Sequence, residues 1–376
     1  MKLELTERQT EDQRAFRAFV DTRIAPFADQ WDREERYPAE TIRELARAGY
    51  LGMAVPRSEG GTGSDMITFG LLNEELGRGC SSTRNLMTVH SMIAHVVHKR
   101  AGKHLKERYL ERLIAGEIIG AFCLSEPNIG SDAKSVETTA TLKGDSYVLN
   151  GSKKWITFGQ VADLLLVFAQ CDGKPTAFLV DGDTPGLTRE PISGMLGSRA
   201  SMLAELRFEN CEIPRSNMLG GIGFGLATIA TAALDIGRYT VAWGSVGIGQ
   251  ACLEASVRYS SERKQFGVPL REHQLISQMV CDMLTNVRAA RLLCLRAGYT
   301  KDINDPSTVM ETWVAKYFAS TTAVKAALDA VQIHGANGCS GDYPVQRYLR
   351  DAKIMEIIEG STQLQQVMIS RSAYQS

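Results

Sequence analysis

The hydrophobic period of this 376-residue chain changes twice. From about Thr6 to Glu117, apolar residues recur three and four apart. Glu40 to Ala48, Ile67 to Leu76 and Leu105 to Ala115 show it best, and the spacing predicts helices broken by Gly-rich loops such as Pro56 to Ser64. From about Ile118 to Leu219 the runs shorten and alternate. Ala140 to Leu142, Tyr147 to Leu149, Leu164 to Phe168, Ala177 to Val180 and Leu203 to Phe208 read as strands. Lys143-Gly144-Asp145, Asn150-Gly151 and Asp172-Gly173 are the turns between them. From Phe224 to Ala373 the helical period returns in long segments: Ala227 to Ser261, His273 to Ala297 and Thr308 to Ile333. The expected fold is therefore mostly α with a central β domain. Seven or so strands suit a small β-barrel or sandwich, and the long apolar helices suit a four-helix bundle. The boundaries fall at 1–118, 119–219 and 220–376, within the two to three domains that the length allows at about 150 residues each.

Composition excludes several functions. Lys+Arg minus Asp+Glu is 42 − 43 = −1, so no global charge draws nucleic acid or an acidic membrane. The eight cysteines form no CxxC pair, which argues against a zinc site and a disulfide framework. Cys252, Cys281 and Cys294 sit among apolar helical residues and read as small buried hydrophobes. Met1 to Arg17 is charged without an apolar run, and Leu164 to Ala169 is far too short to span a bilayer. The expected location is the reducing cytoplasm. His95 and His98 lie three apart, but no HExxH accompanies them, so no metal site is expected. Gly220 to Gly225 is Gly-rich and opens a helix, but it lacks both GxGxxG and a βαβ setting.

Five stretches carry chemistry. Ala121 to Asp132 (AFCLSEPNIGSD) joins a strand to a polar loop, able to hold a pyrophosphate or a flat ring edge, or simply a surface loop. Lys153-Lys154-Trp155-Ile156-Thr157 places a Trp beside a Thr, suited to covering an aromatic cofactor or to packing in the core. Glu262 to Gly267 (ERKQFG) follows a long helix; Arg263 suits a phosphate, and Gly267 suits a helix stop. Gln332 to Gly338 (QIHGANG) allows close backbone approach to a ligand, or ends a helix. Arg350 to Gln363 contains Glu359 after two Ile residues and before Gly360. A carboxylate among apolar neighbours is a candidate general base, since burial raises its pKa towards working pH; the alternative is an acidic residue favoured by a helix N-terminus.

In this order, the five stretches resemble the acyl-CoA dehydrogenase family over about residues 5 to 372. The resemblance implies non-covalent FAD between the β domain and the C-terminal bundle, with the site completed by a neighbouring subunit of a homodimer or homotetramer. Phe122, Leu124, Ser125, Gly130 and Ser131 would line the flavin, with Ser131 also on the substrate arm. Trp155, Ile156 and Thr157 would cover the ring. Arg263, Gln265, Phe266, His273, Gln274, Gln332, Gly335 and Ala336 would come from the other subunit to phosphates and adenine. Ser361, Thr362 and Gln363 would close the site. Asp235 and Arg238 match the family's Asp-x-x-Arg on the substrate side, with Trp243 and Gly360 beside them. Glu359 matches the catalytic base, removing the α-proton of an acyl thioester while hydride leaves the β-carbon for flavin N5. Some members carry the base at the position of Gly237, which here has no carboxylate. An electron acceptor then reoxidises the flavin. Ile358, Ala336 and Ser361 depart from the family's usual Tyr, Gly and Thr.

A narrower resemblance links Gly79 to Arg84, Met87-Thr88, Val241 to Gly244 and Met355 to Ser361 with acyl-carrier-protein-linked dehydrogenases of polyketide extender-unit biosynthesis. It implies a short hydroxy- or aminoacyl group on a carrier protein. Trp243 would either shorten the acyl pocket or pack between helices. The alternative is a short- or branched-chain acyl-CoA dehydrogenase of catabolism. A nucleic-acid-binding relative conflicts with the net charge, and an N-oxygenating relative needs no base such as Glu359.

Overall fold

A computed structural model describes residues 4–374. The outermost ends of the first and last expected domains, residues 1–3 and 375–376, lie outside the described residues. Six α-helices come first: α1 (Glu7–Arg23), α2 (Ala28–Glu34), α3 (Ala39–Arg47), α4 (Met66–Gly79), α5 (Ser81–Arg100) and α6 (Lys103–Ile114). Local chemistry sets their starts. Thr6 and Gln9 form a capping box on α1, and Asp65 accepts from Thr68 N–H to cap α4.

Eight strands follow: β1 (Gly120–Cys123), β2 (Thr139–Lys143), β3 (Ser146–Ile156), β4 (Leu164–Cys171), β5 (Lys174–Asp181), β6 (Leu187–Pro191), β7 (Ala204–Pro214) and β8 (Met218–Leu219). They form one sheet in the order β6-β7-β3-β2-β4-β5-β8, with β1 parallel to β4. The end strands β6 and β8 pair with β7 and β5 rather than with each other. Strand β4 is buried on both faces. Leu164, Leu166 and Phe168 join the core shared with the N-terminal helices, and Leu165, Val167 and Ala169 join the sheet's own core.

A π-helical turn (Gly225–Ala230) leads into α7 (Thr231–Glu262). Then come a hairpin of β9 (Lys264–Gln265) and β10 (Val268–Pro269), and helices α8 (Gln274–Asp302), α9 (Thr308–His334), α10 (Val345–Met355) and α11 (Thr362–Ala373). The bundle thus has three long helices and two short ones. Helix α7 is central. Ile236 and Trp243 pack into the N-terminal core, while Val241, Ile248 and Cys252 pack against α9 and α10. Helices α4 and α7 touch backbone to backbone: a Cβ on Gly77 would sit 2.3 Å from Gly244 O, so only glycine fits.

Three expectations change here. Asn150-Gly151 is no turn between strands but lies within β3, at a register shift against β7. Gly267 does not stop α7, which ends at Glu262 on Arg263 in extended backbone. Instead Phe266 (φ 52°) and Gly267 (φ 83°) make the two-residue turn of the β9–β10 hairpin, where positive φ at both positions suits the strand twist. Cys281 is exposed, whereas Cys252 and Cys294 are buried as expected. The buried stripe of α8 runs through Met283, Val287, Ala290 and Cys294, and Cys281 falls off that stripe. Among the described residues, no helix is long and apolar enough to cross a membrane. His90 is a core residue held by Leu113 O at 3.0 Å, and His98 Nδ1 pairs with Glu59 at 2.7 Å.

Candidate active site

Glu359 sits between α10 and α11, on a turn with positive φ at both Glu359 (57°) and Gly360 (94°). A glutamate rarely adopts this backbone, because Cβ crowds the carbonyl. Contacts from three helices impose it. Arg238 Nε on α7 donates to Glu359 O at 3.0 Å. Lys316 Nζ on α9 donates to Gly360 O at 2.9 Å, and Gln365 Nε2 on α11 donates to the same oxygen at 3.0 Å.

The carboxyl turns inward, and its Oε2 is buried without a hydrogen-bond partner. A buried orphan oxygen costs free energy unless it serves a ligand or a reaction. The contact beneath it is Gly237: a Cβ there would lie 2.2 Å from Oε2 and 2.6 Å from Cδ. That contact explains physically why a base at either position would reach the same space. Burial raises Glu359 from 4.5 to about 7, against the pull of Arg238, Lys316 and Arg84. A carboxylate titrating near neutrality is suited to taking and returning a proton.

Arg84 on α5 is fully buried, and burial lowers its pKa to about 10. Its Nη1 donates to Thr88 Oγ1 at 2.9 Å, its Nη2 reaches Asn85 Oδ1 and Met355 Sδ, and its Nε has no partner. Asn85 Nδ2 in turn donates to Ser201, and Thr88 meets Thr240 at 2.9 Å. A buried polar cluster therefore sits near Glu359. It joins α5 and the 198–202 loop to Thr240, one turn from Gly237 on α7.

The residues expected to face the flavin form an open ledge. Lys154 N–H donates to Ser125 O at 2.9 Å, which sets the 124–131 loop beside the end of β3. Beneath them, Lys153 Nζ donates to Glu126 Oε1 at 2.6 Å and to Leu124 O at 3.3 Å, both side chains being buried. Glu126 also accepts from Glu137 N–H, Thr138 N–H and Thr138 Oγ1. Trp155 has a φ of 64° and is 48% exposed, so it turns out of the sheet rather than into its core. A Cβ at Gly130 would meet nothing within 4 Å, and Ser131 is exposed. An exposed indole, a neighbouring Thr157 and free loop polar groups fit a flat ring with a polar edge. Ile156 differs from its neighbours: its side chain lies in the sheet core, leaving only its backbone for a ligand.

Other expected residues lie apart. Arg263, Gln265, Phe266 and Gln274 are exposed on or after the hairpin, with Phe266 at its tip and 96% exposed; His273, half-buried, meets Gln265 O and the Phe266 ring. Gln332, Gly335 and Ala336 are exposed at the far end of α9, 16 residues or about 24 Å beyond Lys316. Ser361 caps α11 by accepting from Leu364 N–H, Thr362 Oγ1 donates to Glu356 O, and Gln363 is exposed. Asp235 pairs with Lys301 Nζ at 2.5 Å. Trp243 is fully buried between α4 and α7, its ring against Gly70.

The motifs did not single out three residues that now stand out: Lys316, Arg84 as a charge, and Lys153 as partner of Glu126. Only Lys316 carried a sequence signal, a lone cation on an apolar helix face. Lys316 lies on the stripe of Thr312, Ala315, Ala319 and Ala323.

Three family models cover nearly the whole chain: the acyl-CoA dehydrogenase N-terminal domain (residues 6–117), middle domain (121–211) and C-terminal domain (223–374). The mitochondrial short-chain specific acyl-CoA dehydrogenase of Rattus norvegicus is 39% identical over 98% of this chain and 90% of its own. The structure of butyryl-CoA dehydrogenase from Megasphaera elsdenii superposes with a TM-score of 0.95 at 36% identity, covering 100% of both chains. That of FkbI, described for biosynthesis of a methoxymalonyl extender unit, superposes with a TM-score of 0.88 at 33% identity, covering 97% of this chain and 99% of that one. The fold and site thus define a flavin-dependent oxidoreductase that acts on acyl thioesters. The chain belongs to the acyl-CoA dehydrogenase family.

Proposed function

We propose that this enzyme oxidises a short acyl thioester bearing an acceptor oxygen, such as a hydroxyacyl group, delivered on an acyl carrier protein. The observation that carries the reading is Arg84. It is fully buried, forms no salt bridge among the described residues, and packs its unpartnered Nε against Gly244 on α7, with Glu359 the acidic group that acts on it most strongly. Buried cations are normally paired, so a guanidinium left with donors to spare suits an oxygen-bearing ligand. A protonated amine would meet the same donors unfavourably, so the hydroxylated group is preferred to the aminated one. The likeness to FkbI, whose described product carries an oxygen substituent, supports this choice.

Glu359 takes the α-proton onto its carboxylate, and the α–β double bond forms as hydride leaves the β-carbon. A bound FAD would supply the acceptor for that hydride. Leu124, Ser125, Trp155 and Thr157 would hold its ring, with Phe122, Gly130 and Ser131 beside them. Arg263, Gln265, Phe266, His273, Gln274 and the 332–336 segment of a second copy would hold its phosphates and adenine. The Glu359 backbone N–H, fixed by the turn, would bond the thioester oxygen as it gains charge, an effect of about 3–4 kcal/mol. A positioned base adds roughly 10²- to 10⁴-fold.

The second reading is a short-chain acyl-CoA dehydrogenase, favoured by the identity to the rat enzyme. Matched hydroxyacyl and butyryl groups, each on CoA and on a carrier protein, separate the two. The proposal expects the hydroxyacyl carrier thioester to bleach the flavin fastest, and Arg84→Met to lower that rate more than the butyryl rate. Robust turnover of butyryl- or isovaleryl-CoA alone would overturn it.

A further inference from the structure

The turn that carries Glu359 is clamped at two successive carbonyls by two buried cations. Arg238 Nε donates to Glu359 O at 3.0 Å, and Lys316 Nζ donates to Gly360 O at 2.9 Å. The Arg238 guanidinium lies 4.2 Å over Trp313, one turn before Lys316 on α9. The Lys316 side chain is fully buried, yet among the described residues no carboxylate lies within ion-pair distance of it. An ammonium removed from water without a salt bridge is unfavourable, and apolar packing would suit that place in a helix better. Its hydrogen bond goes to the carbonyl beside the base. Fixing the Glu359 and Gly360 carbonyls sets ψ at Glu359 and both dihedrals at Gly360. Those angles decide where the carboxyl and the Glu359 N–H point.

We propose that Lys316 is a positioning residue for the catalytic base: it locks the left-handed turn through Gly360 O, and its charge favours the ionised carboxylate of Glu359. The inference rests on Glu359 being that base. Charged groups reach Glu359 from every side: Arg84 from α5, Arg238 from α7 and Lys316 from α9. Lys316 itself faces Glu359 and Glu356, with Arg238 and Arg84 opposing. Burial lowers Lys316 to about 7 while it raises Glu359 to about 7, so the two groups titrate in the same range. Removing the lysine removes one of three cations that hold the carboxyl down.

The test is Lys316→Met in the full-length, flavin-loaded protein, assayed beside Glu359→Gln with the best acyl thioester. The expected result for Lys316→Met is a kcat per bound flavin at least tenfold lower, with KM little changed. The acid limb of its kcat–pH profile moves to higher pH. A merely structural lysine would lower yield and flavin content but leave that limb and the per-flavin kcat in place, and this result overturns the proposal. If Lys316→Met does not fold, Gln365→Leu removes the neutral donor to the same carbonyl. It is expected to lower kcat about threefold without moving the acid limb, and an unchanged kcat overturns the clamp. Wild-type turnover by Glu359→Gln would remove the base assignment and the positioning role with it. An inactive Glu359→Gln beside a wild-type Lys316→Met removes the positioning role alone.

Discussion

At the scale of the residue, the site depends on one carboxyl in a tight place. Gly237 leaves room for it: a Cβ there would fall 2.2 Å from Glu359 Oε2. Gly237→Ala should therefore displace the carboxyl and lower kcat at least tenfold, while the folded protein still binds flavin; steady-state kinetics normalised to flavin content measures this. The pH dependence follows from burial, which raises Glu359 from 4.5 to about 7. The base must be ionised, so the rate should climb as pH rises through about 7. Stability should run the other way. Between about 4.5 and 7 the folded state holds a proton that the unfolded state has released, so this group's contribution declines across that window. Paired pH profiles of kcat and of thermal unfolding check both signs. Its two preceding Ile residues and Gly360 made Glu359 a candidate base or a helix-N-terminus acid, and the family resemblance alone chose the base. Lys316 and Arg84 were not legible as site residues, because a single cation in a helix looks solvated until its neighbours are known. Only the packing of α5, α7 and α9 around the turn shows that both are buried.

At the scale of the element, the helices and strands followed the hydrophobic period closely. The segment Thr308 to Ile333 appears as α9, Thr308–His334, and Leu105 to Ala115 as α6, Lys103–Ile114. Alternation marks strands locally, but strand order and pairing depend on contacts between distant residues. The parallel pairing of β1 with β4 therefore had no local signal. The same holds for the brace beneath the flavin ledge. Lys153 and Glu126 belong to separate motifs 27 residues apart, and only the sheet brings their side chains to 2.6 Å. Breaking a buried pair strands the remaining charge, at about 3–5 kcal/mol. Glu126→Gln keeps the shape and removes the charge, leaving Lys153 uncompensated. It should lower the unfolding temperature and release flavin more readily, read by calorimetry and by flavin fluorescence after gel filtration. Unchanged flavin retention would detach the brace from the ledge.

At the scale of the whole molecule, the helical–β–helical order places α7 between two cores, with Glu359 where α7, α9 and α11 meet. Arg263, Gln265 and Phe266, and Gln332, Gly335 and Ala336, face outward, and Gln332 lies about 24 Å from Lys316 along α9. On the proposed reading they serve the site of a second copy. Arg263→Ala should then raise the fraction of flavin lost on dilution several-fold, as followed by fluorescence; unchanged retention would count against a shared site. The near-zero net charge keeps its meaning at this scale, since it gives no global pull on nucleic acid. The central claim is that Glu359 removes the α-proton. Anaerobic stopped-flow mixing of the oxidised enzyme with its best acyl thioester tests it most directly. Glu359→Gln should retain its flavin and bleach it at least 10²-fold more slowly than the unsubstituted enzyme. Bleaching at the unsubstituted rate would contradict the account.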